Sequence, residues 1–272
     1  MNLEQDNVIG IVGGMGPEAG AMLLNAISAH TRAASDQEHM SVVLMSFPGH
    51  ITDRTTFLEG GTTVNPAFSV ARVIGLLEAA GATVAGIACN TIYAPPIFNT
   101  IQEELDRHQV KIKLLHMPAE TCHYIKQHYP RAQRIGIMST NGTYKSGVYR
   151  HLLEGLGYDV ILPDPDFQDG VIHRMVYDPQ FGVKANPGNI TRETIMLMKK
   201  STDFFRRQKA DAIILGCTEL PLILVGKPDL SGIPVINSIE AMALALIREA
   251  TAGIKIKSIA APSFKQSAQH LK

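Results

Sequence analysis

Short apolar runs alternate with longer amphipathic segments along most of the chain. The runs at residues 8–12, 84–88 and 212–215 are typical of strands buried on both faces of a parallel sheet. Residues 66–80 instead space their apolar side chains at helical intervals, at Val70, Val73, Ile74 and Leu77. Strands that alternate with helices in this way predict an α/β fold.

The pattern of the first half recurs in the second half. The strand that contains Gly10 has the local sequence Ile-Gly-Ile, and so does the strand that contains Gly136. Cys89 follows Gly10 by 79 positions, and Cys217 follows Gly136 by 81. A chance recurrence of a common strand motif is one explanation. The other, which we favour, is that two similar α/β halves face each other.

We therefore predict two domains, each a parallel-type sheet flanked by helices. The first comprises residues 1–116 together with 237–252, and the second comprises residues 117–236. Residues 253–272 carry several lysines without a clear apolar period, which predicts a mobile tail.

The overall composition excludes several classes of protein. The 272 residues are 45% apolar and 18% charged, and 25 basic residues balance 25 acidic ones, so nothing attracts the chain to nucleic acid or to an anionic membrane. No apolar run approaches the roughly 20 residues that a bilayer span needs. The polar first residues argue against a signal peptide, and three cysteines without a CxxC motif argue against a disulfide framework or a zinc site. We expect a cytoplasmic protein with reduced thiols.

Two of the cysteines lie where a predicted strand ends. Open α/β sheets bind ligands outside the carboxyl ends of their strands, and small polar residues there can bind an anion. The residues that follow the cysteines are Asn90 and Thr91 after Cys89, and Thr218 and Glu219 after Cys217. This arrangement predicts a site with a thiol on each side. The third cysteine, Cys122, lies within a helical period, where we expect it to pack in the core.

Three chemistries fit a facing pair of thiols. A redox disulfide is disfavoured because redox pairs are usually close in sequence. Thioester or amide chemistry needs a histidine and an acid beside the nucleophile, and neither cysteine has a histidine near it in sequence. Proton transfer uses the symmetry naturally, since one thiolate can take the α-proton of a chiral carbon while the other thiol protonates the opposite face.

Such a reaction needs cations to stabilise the carbanion through the carboxylate of the substrate. Arg54 follows the second strand and can bind a carboxylate bidentately, and Lys184 lies between glycines and prolines. Taken alone, each is better explained as a surface residue, Arg54 as an arginine paired with Asp53 and Lys184 as a solvated lysine. The glycine-rich turn at residues 13–16 brings backbone N–H groups near the same strand ends, although its spacing is not that of a dinucleotide-binding loop.

Taken together, these segments resemble the cofactor-independent aspartate/glutamate racemases, and the aspartate branch in particular. The resemblance extends over about residues 8–247. It rests on the following segments: Gly13-Gly14-Met15-Gly16-Pro17, Asp53-Arg54-Thr55, Cys89-Asn90-Thr91, Thr143 to Tyr149, Gly182-Val183-Lys184-Ala185 and Gly216-Cys217-Thr218-Glu219. It implies two α/β domains with the active site in the interdomain cleft, no PLP, no metal and often a homodimer.

The resemblance also implies a role for each site residue. Cys89 and Cys217 become the acid/base pair of an amino-acid racemase, and Arg54 and Lys184 become carboxylate binders. The remaining predicted substrate-binding residues are Met15, Asn90, Thr91, Thr143, Thr218 and Glu219.

One departure concerns the substrate. Tyr93 stands where such racemases commonly have histidine, whereas Glu219, where glutamate racemases have histidine, favours the aspartate branch. The predicted reaction is the interconversion of L- and D-aspartate or a related acidic amino acid. The alternatives are a broad-specificity racemase, a dicarboxylate isomerase, and a non-catalytic binder of small carboxylates.

Overall fold

Two four-stranded parallel sheets form the centre of the computed structural model, which describes residues 7–226 and 232–252. The strand order is β2-β1-β3-β4 in the first sheet and β6-β5-β7-β8 in the second. The strands are β1 Val8–Gly13, β2 Val42–Ser46, β3 Ala82–Ile87 and β4 Lys113–Leu114, then β5 Arg134–Ser139, β6 Asp159–Ile161, β7 Ala212–Gly216 and β8 Val235–Asn237. Each strand of the first sheet thus has a counterpart at the same position in the second. This confirms the predicted fold class of two similar, parallel α/β units.

Helices flank both sheets. They are α1 Pro17–His30, α2 Arg54–Leu58, α3 Ala67–Ala79, α4 Pro95–Arg107, α5 Met117–His128, α6 Asn141–Ser146, α7 Val148–Gly155, α8 Pro165–Phe167, α9 Arg174–Tyr177, α10 Arg192–Arg207, α11 Leu220–Leu224 and α12 Ser238–Thr251. A π-helical segment, Gln168–His173, joins α8 to α9. The last helix, α12, packs on α1, α5 and β3.

The strands β1 and β7 are apolar throughout because helices cover both of their faces. All six residues of β1 are buried, and so are all five of β7. Gly136 of β5 shows how closely a helix approaches, since a Cβ atom there would lie 2.5 Å from a ring carbon of Phe205 on α10. Glycine at this position lets the helix pack directly on the strand.

The residue pattern favours a loop at 48–55, a turn at 163–166, a glycine-containing turn after the strand of Gly136 and a plain apolar stretch at 220–225, but all four segments contain a helix in the structure. The loop at residues 48–55 contains a 3₁₀ turn and the start of α2, which the Asp53 carboxylate caps by accepting from the Thr56 N–H. Asp164 caps α8 in the same way through the N–H of Phe167, so the turn predicted at 163–166 begins a helix. The turn after β5 is α6, and the apolar stretch 220–225 contains α11. Short capped helices lack the length that reveals a period in sequence.

The predicted domain boundaries remain a prediction, although the strands of the two sheets occupy residues 8–114 and 134–237. The predicted tail, 253–272, lies outside the described residues. Within the ranges 7–226 and 232–252, no helix has the length and apolarity needed to cross a bilayer.

Candidate functional site

The carboxyl ends of four central strands meet at one narrow cleft. Each sheet contributes two of these strand ends: β1 and β3 from the first, and β5 and β7 from the second. The lining residues are Met15, Arg54, Cys89, Asn90, Thr91, Thr140, Tyr177, Lys184, Cys217, Thr218 and Glu219. Both strand-end cysteines therefore line the same cleft, one from each sheet.

Nine of the ten predicted site residues line this cleft. The exception is Thr143, which lies just behind it in α6 and places its Oγ1 2.9 Å from Oγ1 of Thr91. Oγ1 of Thr140 lies 3.1 Å from the same atom, so three hydroxyls cluster beside Cys89. Hydroxyls in such a cluster can rotate to donate to a carboxylate oxygen.

On the opposite side of the cleft, the Cys217 thiol is hydrogen-bonded to the ion pair of Glu219 and Lys184. Its Sγ donates to Oε2 of Glu219 over 3.0 Å, and Oε1 of Glu219 accepts from Lys184 Nζ. Oε1 also accepts from the N–H of Gly16 over 2.9 Å, which ties the glycine-rich turn of the first sheet to the end of β7 in the second. Glu219 thus links a thiol, a cation and a backbone N–H across the cleft.

Burial controls the ionisation of this group. It raises the pKa of the Cys217 thiol well above its ordinary value, and the adjacent Glu219 carboxylate raises the pKa further. Burial would also raise the pKa of Glu219, but the Lys184 ammonium and the hydrogen bonds outweigh burial and hold that pKa below its usual range. For Lys184, burial opposes the charge, but Glu219 more than compensates and raises the pKa. At neutral pH the group consists of a thiol, a carboxylate and an ammonium.

Arg54 supplies a second cation, more deeply buried than Lys184. Its side chain is 6% exposed, and Nη2 donates to the backbone carbonyl of Met15 over 2.9 Å. Burial would lower its pKa, but the neighbouring Cys89 and Tyr177 raise it, so the guanidinium stays charged. Nε of Arg54 is buried without a hydrogen-bond partner among the described residues. A buried N–H in this condition is costly unless an oxygen from a ligand accepts it.

The carbonyl of Met15 connects the two cations. It accepts from Arg54 and, over 3.4 Å, from Nζ of Lys184. The preceding residue, Gly14, has φ of +87°, and a Cβ atom there would lie 2.9 Å from the backbone nitrogen of Phe47. This turn needs glycine and places Met15 over the end of β1.

Sequence reasoning missed two residues that line the cleft. Thr140 directly follows β5, and the rule that selected Cys89 at the end of β3 also finds this position. Tyr177 ends the helix α9 and carries no such signal. Its hydroxyl donates to Oδ2 of Asp53 over 2.9 Å, and its ring centroid lies 5.6 Å from Nζ of Lys184.

The side chain of Tyr93 does not line the cleft. Its hydroxyl donates to the carbonyl of Leu115 over 3.0 Å, and its ring packs against Phe98 and His116. The tyrosine therefore fills the core behind Cys89. Cys122 is buried in α5, also away from the cleft, and burial raises the pKa of its thiol to about 12.

Comparisons with known proteins agree on one family. The family model described as Asp/Glu/Hydantoin racemase matches residues 12–246. The broad specificity amino-acid racemase RacX of Bacillus subtilis (strain 168) is 26% identical over 242 residues, which cover 87% of this chain and 95% of that protein.

Solved structures give the same result. The aspartate racemase of Picrophilus torridus superposes with a TM-score of 0.71 at 30% identity, over 90% of this chain and 94% of that one. The glutamate racemase of Francisella tularensis in complex with D-glutamate has a TM-score of 0.59 at 17% identity, over 91% and 82% of the two chains. The second likeness is one of fold alone.

Proposed function

The chain belongs to the Asp/Glu/hydantoin racemase family and is a racemase, and we propose that it interconverts L- and D-aspartate, or a closely related acidic amino acid, by proton transfer between two cysteines. The observation that carries this proposal is the pair of thiols, Cys89 and Cys217, at strand ends of different sheets in one cleft that two cations, Arg54 and Lys184, also line. A racemase must remove a proton from one face of the α-carbon and return one to the other.

The surroundings of the two thiols support complementary roles. Cys217 holds its proton, because its S–H donates to Glu219 and burial raises its pKa. Cys89 is close enough to Arg54 for its thiolate to stabilise the guanidinium. In one direction, the Cys89 thiolate takes the α-proton and the Cys217 thiol protonates the opposite face. In the other direction the roles exchange, and positioned proton transfer of this kind contributes roughly 10²–10⁴-fold to the rate.

The cations make the α-proton acidic enough to remove. A free thiol has a pKa of about 8.5, far below that of a carbon-bound proton next to a carboxylate. Arg54 and Lys184 supply positive charge inside a buried cleft, where it stabilises the developing carbanion more strongly than in water. Two cations at one site suit a substrate with two carboxylates, which favours aspartate or a close analogue over a neutral amino acid.

A second candidate is a broader substrate range. The match to RacX, which covers 95% of that protein, supports this alternative. The two proposals differ in the importance of the side-chain carboxylate. If alanine is turned over as fast as aspartate, the acid-specific proposal is wrong and the broad one stands. The homodimer implied by the resemblance and the cytoplasmic location expected from the composition remain predictions.

Proton NMR of L-aspartate with the purified, reduced protein in heavy water tests α-proton exchange directly, and circular dichroism of the same solution detects inversion. We expect the α-proton signal to disappear while D-aspartate accumulates, because the proton returned to the carbon comes from a thiol that has exchanged with solvent. If the α-proton signal persists for aspartate and for a panel of other amino acids and dicarboxylates, the protein is a non-catalytic carboxylate binder on a racemase fold. Signal loss without inversion would exclude the two-thiol mechanism.

The ionisation of Cys217 gives a further prediction. Replacing Glu219 with glutamine removes the carboxylate that raises the pKa of Cys217 and frees the Lys184 ammonium, which lowers it. The reactive thiolate therefore forms at lower pH in Glu219→Gln than in the wild type. The pH at which iodoacetamide begins to alkylate Cys217, followed by peptide mass spectrometry, measures this shift.

The matched control is Glu249→Gln, which removes a carboxylate from the pair with Lys113 on the outside of the protein. It should leave alkylation of Cys217 unchanged. An alkylation onset that stays the same in Glu219→Gln, or moves to higher pH, would contradict the assigned coupling.

A further inference from the structure

A chain of buried hydrogen bonds lies beneath the cleft, behind Asn90. Asn90 directly follows Cys89 and is 2% exposed. Its Oδ1 accepts from the hydroxyl of Tyr149 over 2.6 Å, and its Nδ2 donates to Oγ of Ser238 over 3.0 Å. Both ends of this amide are therefore held by side chains that come from distant parts of the sequence.

The donor directions in this chain are consistent with one another. Oγ of Ser238 donates its proton to the carbonyl of Leu215 over 3.1 Å, so it must accept from the amide nitrogen of Asn90. The hydroxyl oxygen of Tyr149 lies 2.6 Å from Oδ1 of Asn90 but 3.4 Å from Oγ1 of Thr121, so its single proton is donated mainly to the amide oxygen. These constraints fix which end of the amide carries the nitrogen.

This series of hydrogen bonds connects the two sides of the candidate site. Tyr149 lies in α7, and Ser238 is the first residue of α12. Leu215 lies in β7, two positions before Cys217. The side chain of Asn90, next to Cys89, is thus linked through Ser238 to β7, the strand that leads into Cys217.

We infer that Tyr149 and Ser238 are positioning residues that aim the amide of Asn90 at the substrate. One N–H of Nδ2 is used by Ser238, and the other has no partner among the described residues, although Asn90 lines the cleft. That N–H is free to donate to a substrate carboxylate oxygen. Neither Tyr149 nor Ser238 lines the cleft, so both act through Asn90.

The energetic reason is preorganisation. An asparagine side chain free to rotate about χ2 samples orientations in which its oxygen, and not its N–H, faces the substrate carboxylate. The Ser238 hydroxyl prevents this, because its proton is donated to the carbonyl of Leu215 and its oxygen can therefore only accept from the amide nitrogen. Burial raises the pKa of Tyr149 and keeps its hydroxyl protonated, so that it donates to the amide oxygen. Holding a binding group in one orientation before the substrate arrives removes an entropic cost from binding.

The catalytic test rests on the proposed function and uses a double-mutant cycle. Tyr149→Phe should lower kcat/KM for aspartate about 10-fold, and Ser238→Ala about 5-fold, which are the losses expected from one buried hydrogen bond each. Combined with Asn90→Ala, neither substitution should lower kcat/KM further by more than about 2-fold, because the group they position is gone. Additive losses would overturn the inference, since they would show that Tyr149 and Ser238 act independently of Asn90.

Matched controls separate positioning from loss of core stability. Tyr93→Phe removes the hydroxyl of another fully buried tyrosine, one that donates to a backbone carbonyl and not to Asn90. Ser201→Ala removes a buried serine hydroxyl that donates to Leu197 within α10. Both controls should keep kcat/KM within about 2-fold of the wild type, with melting temperatures like those of the two test variants.

A second measurement does not depend on the substrate. The side-chain N–H₂ signals of Asn90 in a ¹⁵N–¹H spectrum are the pair that Asn90→Ala removes. They should shift in Tyr149→Phe and in Ser238→Ala but not in Tyr93→Phe. Signals that stay in place in both test variants overturn the positioning inference, whereas a wild type without α-proton exchange overturns only the proposed function.

Discussion

Replacing either strand-end cysteine with serine is expected to lower the rate of racemisation by about 10³-fold or more. A serine hydroxyl is far more weakly acidic than a thiol and cannot hold the negative charge that a base at Cys89 needs. Cys217→Ser fails for the complementary reason, since reprotonation must come from the opposite face. Each substitution should therefore stop interconversion in both directions.

The measurement is the heavy-water NMR assay, with circular dichroism to follow inversion. Cys122→Ala is the matched control, because it removes the third thiol from the core of α5, where burial raises the pKa to about 12 and the side chain does not line the cleft. It should racemise at close to the wild-type rate. A serine variant of Cys89 or Cys217 that retains full activity would falsify the two-thiol mechanism.

The second large effect is expected at Arg54. Arg54→Gln should lower kcat/KM for aspartate by about 10²–10³-fold, because it removes a buried charge-assisted contact to a carboxylate, worth about 2–4 kcal/mol. Arg54→Lys should restore only part of this loss, since an ammonium lacks the planar fork that binds a carboxylate bidentately. The comparison of glutamine and lysine variants separates the charge from the geometry.

The control and a second substrate make this test specific. Arg174→Gln removes an exposed arginine of α9 that pairs with Asp178 and does not line the cleft. It should therefore change kcat/KM by less than about 2-fold. If Arg54 binds the side-chain carboxylate, any slow turnover of alanine should fall much less than turnover of aspartate. An equal loss for both amino acids would place Arg54 on the α-carboxylate instead.

The sequence alone was sufficient for the architecture. Runs of apolar residues buried on both faces identified the central strands, and the repeated spacing from Gly10 to Cys89 and from Gly136 to Cys217 predicted two similar units. These features are local, or repeat along the chain, so each can be recognised without knowing what packs against it. The cysteines were found for the same reason, because a strand end is visible in sequence.

The short helices escaped this approach. The helices α2 and α11 have five residues each, too few for a helical period to appear in the sequence. The start of α2 depends on the capping contact of Asp53. Arg54 was consequently expected in a loop, whereas it occupies the first turn of α2, capped by Asp53. Arg54 lines the cleft, and its role as a carboxylate binder remains a prediction.

Contacts between distant residues were decided only by the tertiary structure. Glu219 meets Lys184 across 35 positions, Tyr177 meets Asp53 across 124, and Asn90 meets Ser238 across 148. No local pattern encodes such pairs, because they depend on how two sheets and their helices pack against each other. The sequence determined which strands form and where the thiols stand along them. The packing of the two sheets alone decided which carboxylate accepts from Cys217, which cations line the cleft and which side chains hold Asn90 in place.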